Sequence, residues 1–167
     1  MKCIIKTGML ILVSLVCVDG AFAQNEKTNT DFDFVLGSWD FYTLDGTKIG
    51  EQIYTKREEG HLIVEEWKLS SGGTGMGMTF VDPKTGLWRQ VWMSPTYHID
   101  YSGGIDENGA MVLEGTLYPN NSDESSPIRG IWAKQPDGSI KQDFFVFDEK
   151  SNTWNVLFAG YTLPKKE

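Results

Sequence analysis

The chain has 167 residues, 15 Lys and Arg against 23 Asp and Glu, a net charge of −8, two cysteines and two histidines. That length suits one domain with a real core. The acidic balance, with no Lys/Arg cluster anywhere, excludes the electrostatic footprint of a nucleic-acid binder and makes an anionic membrane a poor partner.

The first residues read as an export signal. Lys2 and Lys6 precede an apolar run from Met9 to Val18, and Ala21-Phe22-Ala23 fits a small-x-small cleavage site before Gln24. The apolar run is too short to span a bilayer comfortably. Cys17 raises a lipoprotein alternative, but Val16 stands where that cleavage wants a small residue. Cleavage after Ala23 removes Cys3, Cys17, two lysines and one aspartate, leaving 144 residues with a net charge of −9. No disulfide framework, cysteine nucleophile or thiolate metal site is then available. The expected organisation is a signal peptide over 1–23, a disordered polar tether over 24–31 and one domain over 32–167. The expected destination is the periplasm or the exterior, with no membrane span in the mature chain.

Past the tether, Thr30 to Leu36 offers at most one short helical turn. Runs rich in Val, Ile, Phe, Tyr, Trp and Thr then recur about every ten residues, separated by turn formers such as Asp45-Gly46, Ser71-Gly72-Gly73, Asp82 to Gly86 and Pro136-Asp137-Gly138. Ten strands are predicted: 38–44, 47–58, 61–70, 74–82, 87–93, 96–105, 110–118, 128–135, 139–148 and 153–163. The longest connection, Pro119 to Pro127, has the length of a surface loop. No twelve-residue window beyond the signal shows a 3.6-residue period. So many consecutive strands joined by short turns predict an all-β, single antiparallel up-and-down barrel, because closure removes the sheet edges. A barrel of eight to ten strands is the size that encloses one small ligand.

FDFVLGSWDF, Phe32 to Phe41, resembles the opening of calycin-type barrels, with Gly37 and Trp39 in the Gly-x-Trp positions that close one barrel end. The rest resembles a bacterial family of secreted lipocalin-like domains of unknown function. The matching pieces are Glu65–Trp67, the glycine-rich SGGTGMGMTF, FVDPKTGLWRQVW from Phe80 to Trp92, Met111–Gly115, Arg129–Trp132, Pro136–Gln142 and the closing Thr153–Tyr161. The resemblance implies a fold and a cavity, not an activity, since function lives in the site grafted on the fold. Barrels of the nitrobindin kind are distantly similar in shape and hold haem iron through a histidine late in the chain. No histidine follows His98, so that role is not carried over. His61 and His98 are the only imidazoles left, and no cofactor is expected.

Strand alternation sorts the candidate lumen. Trp88, Gln90 and Trp92 share one face, taken as inward because two indole rings are costly to leave in water. Glu65, beside Ile63, Trp67 and Leu69, is expected inward. Met76, Met78 and Phe80 are expected as an adaptable apolar stripe behind it. His98, Asp100 and Ser102 alternate with Tyr97, Ile99 and Tyr101, and either set can be the inward one. If Glu65 and Glu114 both point inward, Arg129 is the natural partner that bridges them, and Gln142 shares a face with Phe144 and Val146. An inward carboxylate must be paired or wetted.

The glycine run from Ser71 to Gly77 has no Gly-Lys-Ser/Thr ending, so it is read as a hairpin loop and not a phosphate cradle. No HExxH, GxSxG or Ser/His/Asp arrangement appears. The leading expectation is therefore a barrel that binds a small, partly apolar molecule of unknown identity. Its walls would be Trp88, Gln90, Trp92, Met76, Met78 and Phe80; its polar contacts would be Glu65, His98, Glu114, Arg129 and Gln142. Two alternatives stay open: a hydrolase- or isomerase-like enzyme using His98/Asp100 or inward carboxylates, and a structural or partner-binding barrel with a filled lumen.

Overall fold

The computed structural model describes residues 29–166; the expected signal and most of the expected tether lie outside the described residues. A 3-10 turn, η1 (Asp33–Val35), leads into ten strands, and a second, η2 (Glu58–Gly60), lies between the second and third of them. These are β1 (Gly37–Thr43), β2 (Lys48–Arg57), β3 (Leu62–Leu69), β4 (Thr74–Val81), β5 (Trp88–Met93), β6 (Tyr97–Ile105), β7 (Met111–Pro119), β8 (Ser126–Lys134), β9 (Ile140–Asp148) and β10 (Thr153–Pro164). Every expected strand is present, with ends within two residues of the reading from alternation. Each strand pairs antiparallel with the next, and β1 closes the ring against β10 through Trp39 opposite Pro164 and Thr43 opposite Gly160. The fold is a closed, antiparallel up-and-down barrel.

One turn device recurs. The side chains of Asp45, Asp106, Asp137 and Asp148 each accept a hydrogen bond from the backbone N–H two residues on. An Asx side chain that imitates a backbone turn in this way starts the reversal, and a residue with positive φ completes it. Gly46, Gly109 and Gly138 fill that place in three of the turns, at φ near 80–86°, and Asn152 fills it in the fourth at 53°.

The two ends of the barrel differ. At one end η1 folds under the strands and seats Phe32 and Val35, both fully buried, as a plug. The Phe32 ring meets Trp88 and Trp132 edge-on, with centroids 5.9 and 5.5 Å apart. The Trp39 indole N–H donates to the Val35 carbonyl at 2.7 Å, and Lys56 Nζ lies 2.6 Å from Asp33. Trp39 thus sits at the end that the plug closes. Around it pack Ile63, Met111, Leu113 and Ile140, each at most 1% exposed. The opposite end is ringed by the β1–β2, β3–β4, β5–β6, β7–β8 and β9–β10 connections and has no such plug among the described residues.

Register decides what faces the lumen, and on β4 it corrects the sequence reading. On β4 the inward positions are Gly75, Gly77 and Thr79, while Met76 and Met78 lie on the outer wall, nearly half exposed, with Phe80 beside them. The expected inward stripe of Met76, Met78 and Phe80 is therefore on the wrong face. The physical reason is space. A Cβ at Gly75 would fall into the Trp92 ring, and one at Gly77 would lie 3.2 Å from both the Gln90 amide and the Glu65 carboxyl. The small residues of β4 are the complement of large groups on β3 and β5.

Candidate functional site

The lumen holds a cavity of about 610 Å³. Its upper wall, toward the unplugged end, is Ile49, Leu69, Thr96, Pro119 and Leu157; Leu157 is half exposed. Its middle is aromatic, with Trp67, Trp92, Tyr97, Phe144 and Phe158 among the lining side chains. Its floor is a cluster of buried polar side chains from five strands: Gln52 (β2), Glu65 (β3), Gln90 (β5), Tyr101 (β6) and Gln142 (β9).

The polar floor is one hydrogen-bonded unit. Gln52 and Gln142 exchange amide bonds, Gln52 donating at 3.1 Å and Gln142 donating back at 2.9 Å. Gln52 also donates to Glu65 Oε1 at 3.1 Å. Gln90 donates to Thr79 at 2.7 Å and more loosely to Glu65 Oε2 at 3.4 Å, while its carbonyl accepts from the Tyr101 hydroxyl. Both amide hydrogens and the carbonyl of Gln52 and of Gln90 are thereby used. The carboxylate is not saturated, since it has about four acceptor positions and takes two amide donors. The Tyr54 hydroxyl is buried beside it without reaching hydrogen-bonding geometry, and the indole N–H groups of Trp88, Trp92 and Trp132 are likewise buried without a partner.

Glu65 is 4% exposed, and among the described residues no Lys, Arg or His lines the cavity with it. Burial disfavours its ionised form and pushes its pKa up to about 7, against the opposing pull of the hydroxyl and amides that face it. The same burial, reinforced by the nearby Glu65 charge, drives the Tyr54 and Tyr101 phenols well above their ordinary range. The floor therefore contains one group that changes charge near neutrality and a set of neutral groups that hold it.

Of the residues singled out in the sequence, Glu65, Gln90, Trp92 and Gln142 come together at this cavity, and Trp88 lies buried beneath it against the plug. Seven others do not face it. His98 is on the outer face of β6 and stacks on Tyr118, centroids 4.8 Å apart, because the inward set of that strand is Tyr97, Ile99 and Tyr101. Asp100, also outward, is held by both ends of the Arg89 guanidinium at 2.8 and 2.6 Å, which keeps its carboxyl below the usual range and leaves no His98/Asp100 dyad. Glu114 and Arg129 pair at 2.5 Å across β7 and β8, but on the outer wall and not as a bridge to Glu65, and the guanidinium also lies over the Trp154 ring at 4.5 Å. Met76, Met78 and Phe80 lie on the outer face of β4. The inward positions of β7 and β8 are Met111, Leu113, Gly115 and Leu117, and Ile128, Gly130 and Trp132; apolar residues on both faces hid that register from alternation. His61 is exposed in the turn before β3.

Gln52, Thr79, Tyr101 and Trp132 were not picked out as site residues. Gln52 had a usable signal, since it falls between Gly50 and Tyr54 on one face of β2. Among the described residues no group of three or more His, Cys, Asp and Glu side chains could hold a metal ion, and no helix is long and apolar enough to cross a membrane. Comparison with known protein families and with curated protein sequences finds no match to this chain.

Proposed function

We propose that this chain is an exported, calycin-like barrel that holds a small, partly apolar molecule in its lumen. The observation that carries the reading is the cavity of about 610 Å³, mostly apolar and aromatic along its walls, with its buried polar side chains gathered at the floor. That volume and that distribution are those of a small-molecule site, where apolar walls supply affinity and a few convergent polar groups orient the guest. The open rim at one end and the aromatic plug at the other give the guest one way in. Export rests on Lys2, Lys6, the apolar run after Met9 and Ala21-Phe22-Ala23; the calycin likeness rests on the residues around Gly37 and Trp39.

The test is native mass spectrometry of protein purified gently from its own host, followed by Nile red titration of the emptied barrel. A bound species of defined mass, or saturable dye fluorescence that a lumenal guest displaces, is the expected result. A clean apo mass together with no saturable dye binding would leave a barrel whose lumen is not used, and the reading would fall.

Acid–base catalysis is the second reading, favoured by one observation: Glu65 holds its proton to about pH 7, near the value a general acid or base works best at. Its only titratable neighbours in the cavity are tyrosines, so any reaction would rest on that carboxyl alone.

A further inference from the structure

The lumen has an electrostatic asymmetry that narrows its guest. Among the described residues Glu65 is the single carboxylate lining the cavity, and no lysine, arginine or histidine lines it. On the outer wall the opposite arrangement prevails: Asp100 is paired with Arg89, Glu114 with Arg129, Asp40 with Lys48 and Glu51 with Lys165. Cations are thus available to this sequence, and none is spent inside.

An ionised carboxylate without a cation is expensive to bury, and the cost falls if a positive charge enters with the guest. The geometry of the floor leaves room for that charge. Gln52 and Gln90 each give Glu65 one amide N–H, so at least one acceptor position stays open even if the Tyr54 hydroxyl turns to fill another. Trp67, Trp92, Tyr97 and Trp132 line the same cavity, and an aromatic ring attracts a cation placed over its face.

We propose that the lumen selects a protonated amine with an apolar body, its ammonium docked on Glu65 and its hydrocarbon or aromatic part lying among the rings above. This rests on the binding reading and names the chemical class of its guest. An anionic guest has no partner at the floor and meets Glu65 as a like charge. A neutral alcohol of the same shape keeps the apolar contacts and loses the ion pair. The groups that face Glu65 are Gln52 and Tyr54 from β2, Gly77 and Thr79 from β4, Gln90 from β5, Tyr97 and Tyr101 from β6, and Gln142 from β9. None of these carries a charge near neutral pH. The pH dependence of amine binding therefore reports the Glu65 carboxyl: affinity rises from pH 5.5 to 8 as that carboxyl ionises, and docking at pH 6 releases a proton from it.

The experiment is calorimetric titration of the wild-type barrel with 4-phenylbutylamine, 4-phenylbutanol and 4-phenylbutyrate, at pH 5.5 and pH 8. At pH 8 the amine is expected to bind at least tenfold tighter than the alcohol, and the carboxylate weakest. Glu65→Gln is expected to remove the amine's advantage over the alcohol and the pH dependence of amine binding. Equal binding of amine and alcohol at pH 8, or stronger binding of the carboxylate, overturns the amine selection and leaves the binding reading intact. Failure of all three to bind in the millimolar range overturns both. The probe series on the wild-type chain decides the matter even if the variant folds poorly.

Discussion

The two faces of this barrel wall treat acidic side chains in opposite ways. Outside, Asp100, Glu114, Asp40 and Glu51 each sit within 3.1 Å of a lysine or arginine, in water, at little cost or gain. Inside, Glu65 is buried among glutamines and tyrosines with no cation near it. The outer pairs need no explanation beyond solubility and register. The inner acid carries a real penalty for ionising, which a cationic guest of the kind proposed would relieve. Nature of the neighbour, not count of charges, separates a surface carboxylate from a site carboxylate.

That contrast can be broken or sharpened by substitution. The largest effect is expected on the inner side, from Trp132→Ala. Trp132 is 1% exposed and touches Phe32, Tyr101 and Phe144, so its loss should cost about 3–5 kcal/mol in denaturant unfolding. A loss under about 1 kcal/mol would mean that the ring is not part of the packed interior.

Next comes the acid itself. Glu65 holds its proton to about pH 7 when folded and releases it near 4.5 when unfolded, so between those values the folded state binds the extra proton. Its contribution to stability is therefore unpenalised below pH 4.5 and falls as pH rises through 7, by roughly 3 kcal/mol in all. Glu65→Gln should abolish that fall, so that the variant matches wild type near pH 4.5 and exceeds it at pH 8. Urea unfolding at the two pH values checks the sign; a wild type that gains stability from this residue as pH rises would contradict it.

The smallest effect belongs to the outer wall. Arg129→Ala removes an exposed pair with Glu114 and a contact with Trp154, and should shift stability by no more than about 1 kcal/mol. Because Arg129 does not face the lumen, binding of any lumenal guest should be unchanged; a lost affinity would place Arg129 in the site after all.

The architecture was legible because turn residues punctuate the chain every ten or so positions and each strand between them is long enough to alternate. Glu65, Gln90, Trp92 and Gln142 were legible for a narrower reason: each shares its strand face with large apolar groups that must be buried. Where the two faces look alike the reading fails. On β7, Val112 and Leu113 are equally apolar neighbours, so Glu114 was assigned to the lumen with nothing to contradict it. On β4 the inward face is written in glycine and threonine, and apolarity favoured the methionines. The missing information was the size of Trp92 and Gln90 on the next strand. A strand's own sequence does not contain the volume of its neighbour.

Ring closure has a further consequence, for the order in which this chain acquires structure. Nine of the ten strand pairings join neighbours along the chain and form as local hairpins; the tenth, β1 with β10, joins residues such as Trp39 and Pro164. Closing so long a loop carries the largest entropic cost of any step and contributes most to a high contact order, so it is the natural late event. Until it happens, β1 and the last strand formed present unpaired backbone to any other chain. Removing β10 would not trim one stave from a finished barrel; it would leave both exposed edges permanently open and convert a ring into a self-associating sheet.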